Sequence, residues 1–293
     1  MKTAIVLAAA LSGCVNIATN DPSSGYGVDA GKVYYLCVGM ETSQRFGSCP
    51  GCETDANRLS CLLTSKYKYS GDTLISDKAT KEAVVEKLKA GIDKTPEDGL
   101  FLFLYSGHGG QEFLGGKEPD GSDREDEFLC LYDTYMMDDE IWDIVSTCRG
   151  RVFLYFDACH SATMYRSVAY DIRGLMPKKK GASALGLDQK ALVRTKGFSF
   201  RPDKFATAHS MGVDDNRVSP RILCWSGCKE SEYSYGSNSG GVLTTGLING
   251  WKSGMSYGVL WDQACEWVKS KEPTQHPVQT YVGNFPEGLE AFR

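Results

Sequence analysis

Two runs of consecutive apolar residues stand out along the chain, and each ends in polar, chemically reactive groups. Residues 100–105 read Leu-Phe-Leu-Phe-Leu-Tyr and lead into Ser-Gly-His-Gly-Gly, and residues 152–156 read Val-Phe-Leu-Tyr-Phe and lead into Asp-Ala-Cys-His-Ser. Neither run alternates apolar and polar positions, as a strand with one wet face would. Continuous apolar runs of this length are typical of strands that are buried on both faces of a parallel sheet.

The rest of the pattern alternates strands with helices. It predicts further strands at 32–39, 69–75 and 221–227, and helices at 55–65, 80–90 and 141–145. Asp77 or Thr80 is expected to cap the second helix. Strand, helix and strand in succession indicate an α/β fold with a mostly parallel central sheet flanked by helices. We expect a turn after residue 105 and a loop over 111–125, which is rich in glycine and aspartate.

His108 and Cys159 follow the two apolar runs and are 51 residues apart. Functional sites in parallel sheets gather beyond the carboxyl ends of the strands, so we expect both residues at one edge of the sheet. A cysteine becomes a nucleophilic thiolate near neutral pH when a base such as histidine lies beside it. One alternative is that His108 is a core histidine and Cys159 a buried structural thiol, without a catalytic role. Another is that His160, and not His108, is the base.

These two motifs resemble those of caspase-like cysteine peptidases, in which a histidine precedes the cysteine by about 50 residues. The sequences Tyr-Ser-Gly-His-Gly-Gly and Asp-Ala-Cys-His-Ser are more similar to metacaspases than to caspases, in which Gln-Ala precedes the cysteine and Arg-Gly follows it. The resemblance covers about residues 32–284 and implies a caspase-like three-layer fold. It also implies a cysteine endopeptidase that uses His108 and Cys159, with the N–H groups of Gly109 and Cys159 as oxyanion donors.

The same resemblance implies a substrate pocket with an acidic floor. Asp55 and Asp157 lie at metacaspase positions that line the pocket for the residue before the cut, and Cys52 and Ser106 lie beside them. Two converging carboxylates would bind a guanidinium bidentately and an ammonium as a point charge, so the expected substrates are proteins or peptides cut after Arg or Lys. The alternative is that both aspartates cap local turns or helices.

Clustered carboxylates suggest a calcium site. By resemblance to type I metacaspases, Asp126, Asp138 and Asp139 would bind an activating Ca²⁺, which prefers six to eight oxygen ligands. Two departures weigh against it: the connection from Asp133 to Asp138 is short for the family, and the position seven residues after the cysteine, commonly acidic there, is Arg166. The alternative is that Asp138 and Asp139 complement the start of a helix.

The charge distribution is polarised, although the net charge is only -5. That total argues against general nucleic-acid binding. Residues 118–143 hold eleven acids against Arg124 alone, whereas residues 166–204 hold ten bases against three acids. The segment 166–220 lacks periodicity, and we interpret it as a basic lid or linker that contains self-cleavage sites, as a patch for an acidic partner or membrane surface, or as a solvated loop.

The N-terminus resembles a targeting segment. Residues 1–14 consist of Lys2, an apolar run and Leu-Ser-Gly-Cys ending at Cys14, as in a bacterial lipoprotein signal whose cysteine is lipidated. We therefore expect an exported chain, anchored by lipid at a bacterial envelope membrane, with a flexible tether at 15–31 and one peptidase domain at 32–293. The alternatives are a plain secretory signal and an apolar leader on a cytosolic chain. No other segment is long and apolar enough to cross a membrane.

A second cysteine motif, Cys49-Pro50-Gly51-Cys52, precedes the first predicted helix. Taken alone, a CxxC motif suits a redox pair or half of a zinc site, but no thioredoxin-like pattern and no second CxxC accompany it here. A disulfide in an exported protein is the alternative that fits better. Cys224 and Cys228 are a second pair that could form a disulfide after export.

Two other functions remain open at this stage. The chain could be a catalytically silent caspase-fold module that binds basic peptides, or a different cysteine acyl-transferase built on the same dyad. A silent module would contain no unusually reactive Cys159, and a transferase would pass the acyl group to an added amine.

Overall fold

The computed structural model of the chain describes residues 28–117, 123–160, 220–229, 232–286 and 288–292. At 111–117, 123–126, 159 and 160 it describes the backbone alone. The predicted signal at 1–14, most of the tether and residues 166–219 of the basic insert lie outside the described residues, so these predictions stay predictions. Among the helices of the described ranges, none combines the length and apolar character needed to cross a bilayer.

Strands and helices alternate along the described part of the chain, as predicted. The strands are Val33–Gly39 (β1), Ser70–Ile75 (β2), Leu100–Lys117 (β3), Asp123–Cys130 (β4), Tyr135–Met137 (β5), Arg151–His160 (β6), Arg221–Ser226 (β7), Gly236–Ser237 (β8), Gly240–Gly241 (β9) and Val278–Val282 (β10). The α-helices are Cys52–Tyr67 (α1), Lys81–Lys94 (α2), Asp138–Val145 (α3), Val242–Gly250 (α4) and Tyr257–Lys271 (α5).

The central sheet has the strand order β10-β7-β6-β3-β1-β2. All neighbours in this order are parallel except β10, which runs antiparallel to β7 at the edge. Strands β4 and β5 form an antiparallel extension from the far end of β3. The prediction of a mostly parallel central sheet is therefore confirmed, and the two apolar runs form the adjacent central strands β3 and β6.

Side chains of the central strands alternate between two apolar layers. Phe101, Phe103 and Tyr105 pack in a layer with α2 and α3. Leu102 and Leu104 point to the opposite face, where they pack in a layer with α1, α4 and α5. Because both faces of the sheet are covered by helices, the side chains at 100–106 and 152–158 are all buried, which explains the continuous apolar runs in the sequence.

The alternation continues past the apolar residues and determines where the polar ones lie. On β3, Ser106 and His108 follow Leu104 at even positions and therefore share the face covered by α1, α4 and α5. On β6, Asp157 follows Tyr155 at an odd position, which belongs to the same face. The period of two thus assigns Ser106, His108 and Asp157 to one layer of the molecule.

The expected turn after residue 105 is wrong, and so is the expected loop over 111–117 and 123–125, whereas residues 118–122 of that loop lie outside the described residues. Strand β3 continues to Lys117 and changes partner on the way. It pairs in parallel with β6 as far as Gly109, and from Gly109 onward it pairs antiparallel with β4. Small residues make the extended path feasible, since a Cβ at Gly107 would lie 2.3 Å from the Tyr105 hydroxyl.

The predicted helices are present, with longer ends than the periodicity indicated. Thr80 caps α2, because its side chain accepts a hydrogen bond from the Ala83 amide. Trp251 and Trp261 pack against the layer formed by α1, α4 and α5, as expected of packing residues rather than a binding platform.

Candidate active site

His108 and Cys159 are direct partners in the parallel pairing of β3 and β6. Neighbouring strands lie about 4.8 Å apart, so this register brings the two main chains as close as a sheet allows. The same register aligns Ser106 with Asp157 one pleat earlier. The register therefore pairs the predicted base His108 with the predicted nucleophile Cys159. Two residues earlier on each strand, it pairs the predicted pocket residues Ser106 and Asp157.

His108 is held in a defined orientation. Its side chain is 2 % exposed, and its Nε2 lies 3.2 Å from the main-chain carbonyl oxygen of Ser48. A carbonyl only accepts, so this contact favours the tautomer with the proton on Nε2. The unprotonated nitrogen is then Nδ1, which is the nitrogen able to accept a thiol proton.

Tyr105 stabilises the main chain around the histidine. Its buried hydroxyl lies 2.7 Å from the carbonyl oxygen of His108 and 2.7 Å from that of Cys130. A phenol carries one proton, so it donates to one of these carbonyls at a time. This contact ties the partner-switching segment of β3 to the end of β4.

Asp55 is completely buried on the first turn of α1. Its Oδ2 accepts a hydrogen bond of 2.7 Å from the Ser106 hydroxyl, and both of its oxygens lie 3.0 Å from the amide nitrogen of Gly241. These contacts join α1, β3 and β9. Asp55 therefore does more than cap its own helix, which was the alternative interpretation.

Asp157 is also completely buried, and three donors surround its carboxylate. The Ser234 hydroxyl donates to Oδ1 at 2.6 Å, and Thr244 donates to Oδ2 through its amide at 3.1 Å and its hydroxyl at 2.7 Å. The donors come from the segment before β8 and from the first turn of α4. Hydrogen bonds of this kind hold a buried carboxylate in one position.

Gly241 lies between the two carboxylates. Its amide donates to Asp55, and a Cβ at this position would lie only 1.9 Å from Oδ2 of Asp157. Cys52 is fully buried in the first turn of α1, three residues before Asp55. The structure therefore brings Asp55, Ser106 and Asp157 together around Gly241, on the face of the sheet that carries His108.

Sequence reasoning missed a set of polar residues that support this corner. Gln275, 2 % exposed, donates through Nε2 to the Gly227 carbonyl at 2.8 Å and to the Ser234 hydroxyl at 3.1 Å. Its Oε1 accepts from the Tyr235 amide at 3.0 Å. The only local signal was one polar residue in the segment before β10, and such a residue does not reveal its partners.

The predicted calcium ligands lie near one end of the β4–β5 ladder. Asp126 lies on β4 two residues before Phe128, which pairs with Met137, and Asp138 and Asp139 follow Met137 as the first residues of α3. Asp138, 6 % exposed, accepts a hydrogen bond of 3.1 Å from the Asp139 amide at the start of α3. Among the side chains that the structure describes, which exclude that of Asp126, no three acidic, thiol or imidazole groups are clustered as metal ligands.

The two proposed cysteine pairs are not disulfides in this structure. Cys49 and Cys52 are thiols whose side chains contact each other, and Cys224 and Cys228 are also thiols. Burial raises the pKa of Cys148 to about 11 and that of Cys265 to about 12. These two thiols are therefore protonated near neutral pH and are poor nucleophiles.

Known proteins resemble this chain in both sequence and structure. The chain is 29% identical over 246 residues to Metacaspase-1A of Aspergillus fumigatus, covering 73% of this chain and 59% of that protein. It is 29% identical over 249 residues to Metacaspase-1 of Pyricularia oryzae, covering 74% of this chain and 62% of that protein. The chain thus spans about three fifths of the length of these relatives.

A solved structure has the same fold over most of the chain. The crystal structure of protein GSU0716 from Geobacter sulfurreducens matches with a TM-score of 0.63 and 25% sequence identity, covering 88% of this chain and 97% of that one. The family model of the caspase domain, Peptidase_C14, matches residues 36–283, which include every predicted catalytic and pocket residue. With its parallel sheet between two helical layers, this chain belongs to the caspase domain family.

Proposed function

We propose that this chain is a cysteine endopeptidase that cleaves after Arg or Lys, with Cys159 as nucleophile and His108 as base. One observation carries the proposal: His108 and Cys159 are register partners on adjacent strands, one pleat beyond Ser106 and Asp157. The ordering of the His108 ring by the Ser48 carbonyl supports the assignment of the base.

The reaction is acyl transfer to sulfur. His108 takes the Cys159 proton, the thiolate attacks the scissile carbonyl, and the imidazolium then protonates the departing amine. The main-chain N–H groups of Gly109 and Cys159 are the proposed donors to the oxyanion, and the loss of one such donor typically raises the barrier by about 2.7–4 kcal/mol. Water then releases the acyl group, with His108 as general base.

The preference for a basic side chain follows from the charges in the pocket. Asp55 and Asp157 are both buried, and their carboxylates accept hydrogen bonds from hydroxyl and amide groups. A guanidinium or ammonium that enters beside them would be attracted by their negative charge. Arg is expected to be preferred over Lys, because it can bind a carboxylate bidentately.

The test compares wild type with Cys159→Ala and His108→Ala on reporter peptides that carry Arg, Lys or Asp before the reporter. Cys265→Ser and His160→Ala are the matched controls for the loss of a thiol and an imidazole. We expect turnover after Arg and Lys in wild type and both controls, and background turnover in the two dyad variants. Equal turnover by Cys159→Ala would contradict the dyad, and a preference for Asp would contradict the pocket.

We also propose that Asp126, Asp138 and Asp139 bind an activating Ca²⁺. Their positions near one end of the β4–β5 ladder support this, because aspartates from one strand and from the start of a helix offer the oxygen ligands that calcium prefers. Bound calcium would neutralise the negative charge of these three aspartates. Asp126 lies on β4, which pairs with the part of β3 that follows His108.

Two further proposals concern residues outside the described ranges. The basic residues of 166–220 are proposed self-cleavage sites, so the intact mass of wild type should fall over time while that of Cys159→Ala stays constant. The signal at 1–14 is proposed to direct export and lipidation of Cys14. In that case wild type should partition into detergent from a bacterial envelope fraction, and Cys14→Ala should not.

A further inference from the structure

Residues 49–52 form a tight turn that brings two thiols together at the start of α1. The amide of Cys52 donates to the Cys49 carbonyl at 3.3 Å, and Gly51 has φ 89° and ψ -5°. With Pro50 before it, this glycine fits the third position of a type II turn. Such a turn holds its first and fourth Cα within about 7 Å, and disulfides span about 4.4–6.8 Å.

The two thiol side chains contact each other and form a separate small cluster. This pair of thiols lies between a helix with a buried face and a loop that is mostly exposed to solvent. Cys52 begins a helix whose buried face, including Ala56 and Leu59, is anchored in the core. On the other side, the loop 41–48 is mostly exposed, and in the described part of the chain, apart from the two neighbours of Gly47, nothing would lie within 4 Å of a Cβ at that glycine. A movement of this loop would therefore expose Cys49 without unfolding α1.

The same turn is coupled to the proposed catalytic base. Ser48, directly before Cys49, provides the carbonyl oxygen that lies 3.2 Å from Nε2 of His108. This distance is at the long end of the range for such hydrogen bonds, so a small displacement breaks it. Two sulfurs in van der Waals contact must approach by about 1.5 Å or more to reach the bonded distance of about 2.05 Å. Because α1 is anchored, the loop that contains Ser48 makes that movement.

We propose that Cys49 and Cys52 are a reversible disulfide site, oxidised by a low-molecular-weight disulfide such as oxidised glutathione, and that its closure withdraws the Ser48 carbonyl from His108. The Cys49 thiolate attacks one sulfur of oxidised glutathione and releases one glutathione thiolate. The Cys52 thiolate then attacks the mixed disulfide, forms the Cys49–Cys52 bond and releases the second glutathione. The two cysteines lose two electrons, glutathione gains them, and the two thiol protons pass to the released thiolates.

The first measurement tests the bond itself and does not require activity. The full chain carrying Cys159→Ala is equilibrated, while folded, in buffers of reduced and oxidised glutathione, then alkylated and digested with trypsin. The peptide 46–58 contains both cysteines and no others. We expect two alkyl groups under reducing conditions, and under oxidising conditions no alkyl group and a mass lower by two hydrogens. Two alkyl groups, or two separate glutathiones, at every ratio would overturn the proposal.

The second measurement tests the coupling to His108. The chain has four histidines, so ¹⁵N labelling of histidine gives few imidazole resonances. On oxidation of the Cys159→Ala protein, the His108 resonances should shift. Those of His276, whose Nδ1 lies 2.8 Å from Glu232, should not. Adding Cys49→Ser should abolish the shift. A disulfide that forms while the His108 resonances stay unchanged would refute the proposed effect on the base.

The effect on catalysis rests on the proposed peptidase activity. Since a displacement of about 1 Å in an active site can lower the rate about 10²-fold, oxidised glutathione should lower kcat/KM of wild type to that extent, and dithiothreitol should restore it. The Cys49→Ser variant cannot form the proposed disulfide, so its inhibition by oxidised glutathione reports reaction at Cys159 alone. It should therefore lose clearly less activity than wild type. Equal loss in both proteins contradicts the proposal, whereas wild type that is inactive under all conditions contradicts the peptidase assignment and leaves the first two measurements valid.

Discussion

Replacing Gly241 with alanine tests whether the surroundings of the two buried carboxylates determine the use of basic substrates. Gly241 has φ -69° and ψ 152°, which alanine adopts without strain. The substitution therefore adds a methyl group and does not disturb the backbone conformation. Its Cβ would lie 1.9 Å from Oδ2 of Asp157, whereas ordinary contacts begin at 3.4 Å. The carboxylate or the start of α4 must then move by about 1.5 Å.

A shift of this size breaks hydrogen bonds that depend on the present position of Asp157. The two bonds from Thr244 to Oδ2 measure 3.1 and 2.7 Å, and 1.5 Å more takes both beyond hydrogen-bond range. Hydrogen bonds to a charged group contribute about 1.5–3 kcal/mol each. If the loss of one such interaction reaches the transition state, kcat/KM for an Arg substrate falls by roughly 10- to 150-fold.

The assay is kcat/KM on Arg and Lys reporter peptides, with urea unfolding measured in parallel. Gly258→Ala in α5 is the matched control, because its Cβ would meet only the Ser256 hydroxyl, at 4.0 Å. That control should keep full activity and gain about 0.5–1 kcal/mol of stability, as Ala does over Gly in a helix. If folded Gly241→Ala cleaves the Arg peptide as well as wild type does, the pocket assignment of Asp157 is refuted.

Three other variants test separate parts of the structure. Tyr105→Phe removes the hydroxyl that lies between two buried carbonyl oxygens and should lower the free energy of unfolding by about 1–3 kcal/mol. The control is Tyr281→Phe, at a tyrosine that is 53% exposed, which should change this free energy by less than about 0.5 kcal/mol. Equal changes in both variants would refute the role of the Tyr105 hydroxyl. Asp138→Asn should weaken calcium binding measured by calorimetry at least tenfold, in contrast to Asp143→Asn on the exposed side of α3, and equal affinities would exclude Asp138 as a ligand. Burial raises the pKa of Cys148 from 9.0 to about 11, so between these values the unfolded chain loses a proton that the folded chain keeps. The stability from this thiol is complete below pH 9 and decreases by up to about 1.4 kcal/mol per pH unit as pH rises toward 11. Urea unfolding of Cys148→Ala should lack this decrease, and parallel slopes for both proteins would contradict it.

The sequence alone was sufficient to predict the two central strands and the edge of the sheet at which His108 and Cys159 lie. Strands buried on both faces need apolar residues at every position, so 100–105 and 152–156 were recognisable without knowledge of their partners. The tendency of sites to gather beyond the carboxyl ends of parallel strands then placed His108 and Cys159 at one edge of the sheet, whereas Asp157 was assigned by the family resemblance. Helix α2 was predictable for a similar reason, because its cap and apolar spacing are both local.

The parts that were missed depend on contacts between distant segments. Gly241 donates to Asp55 across 186 residues, and Thr244 and Ser234 donate to Asp157 across 87 and 77 residues. No periodicity encodes such pairings, and a serine or threonine next to a helix start is usually interpreted as a cap. The long β3 was missed for another reason: its glycines suggested a turn, whereas they allow an extended strand to pass a tyrosine hydroxyl and exchange partners.

The donors to Asp157 have a consequence for biosynthesis. While the chain is being made on a ribosome, β3 and β6 are complete long before Ser234 and Thr244 are translated, and β7, the second neighbour of β6, is also still missing. Until then the carboxylate would have to stay solvated, because a buried carboxylate without donors is strongly unfavourable. The pocket around Asp55 and Asp157 is therefore expected to assemble only when the last quarter of the polypeptide has emerged. A truncated translation product would contain the His108 and Cys159 motifs without an ordered pocket beside them.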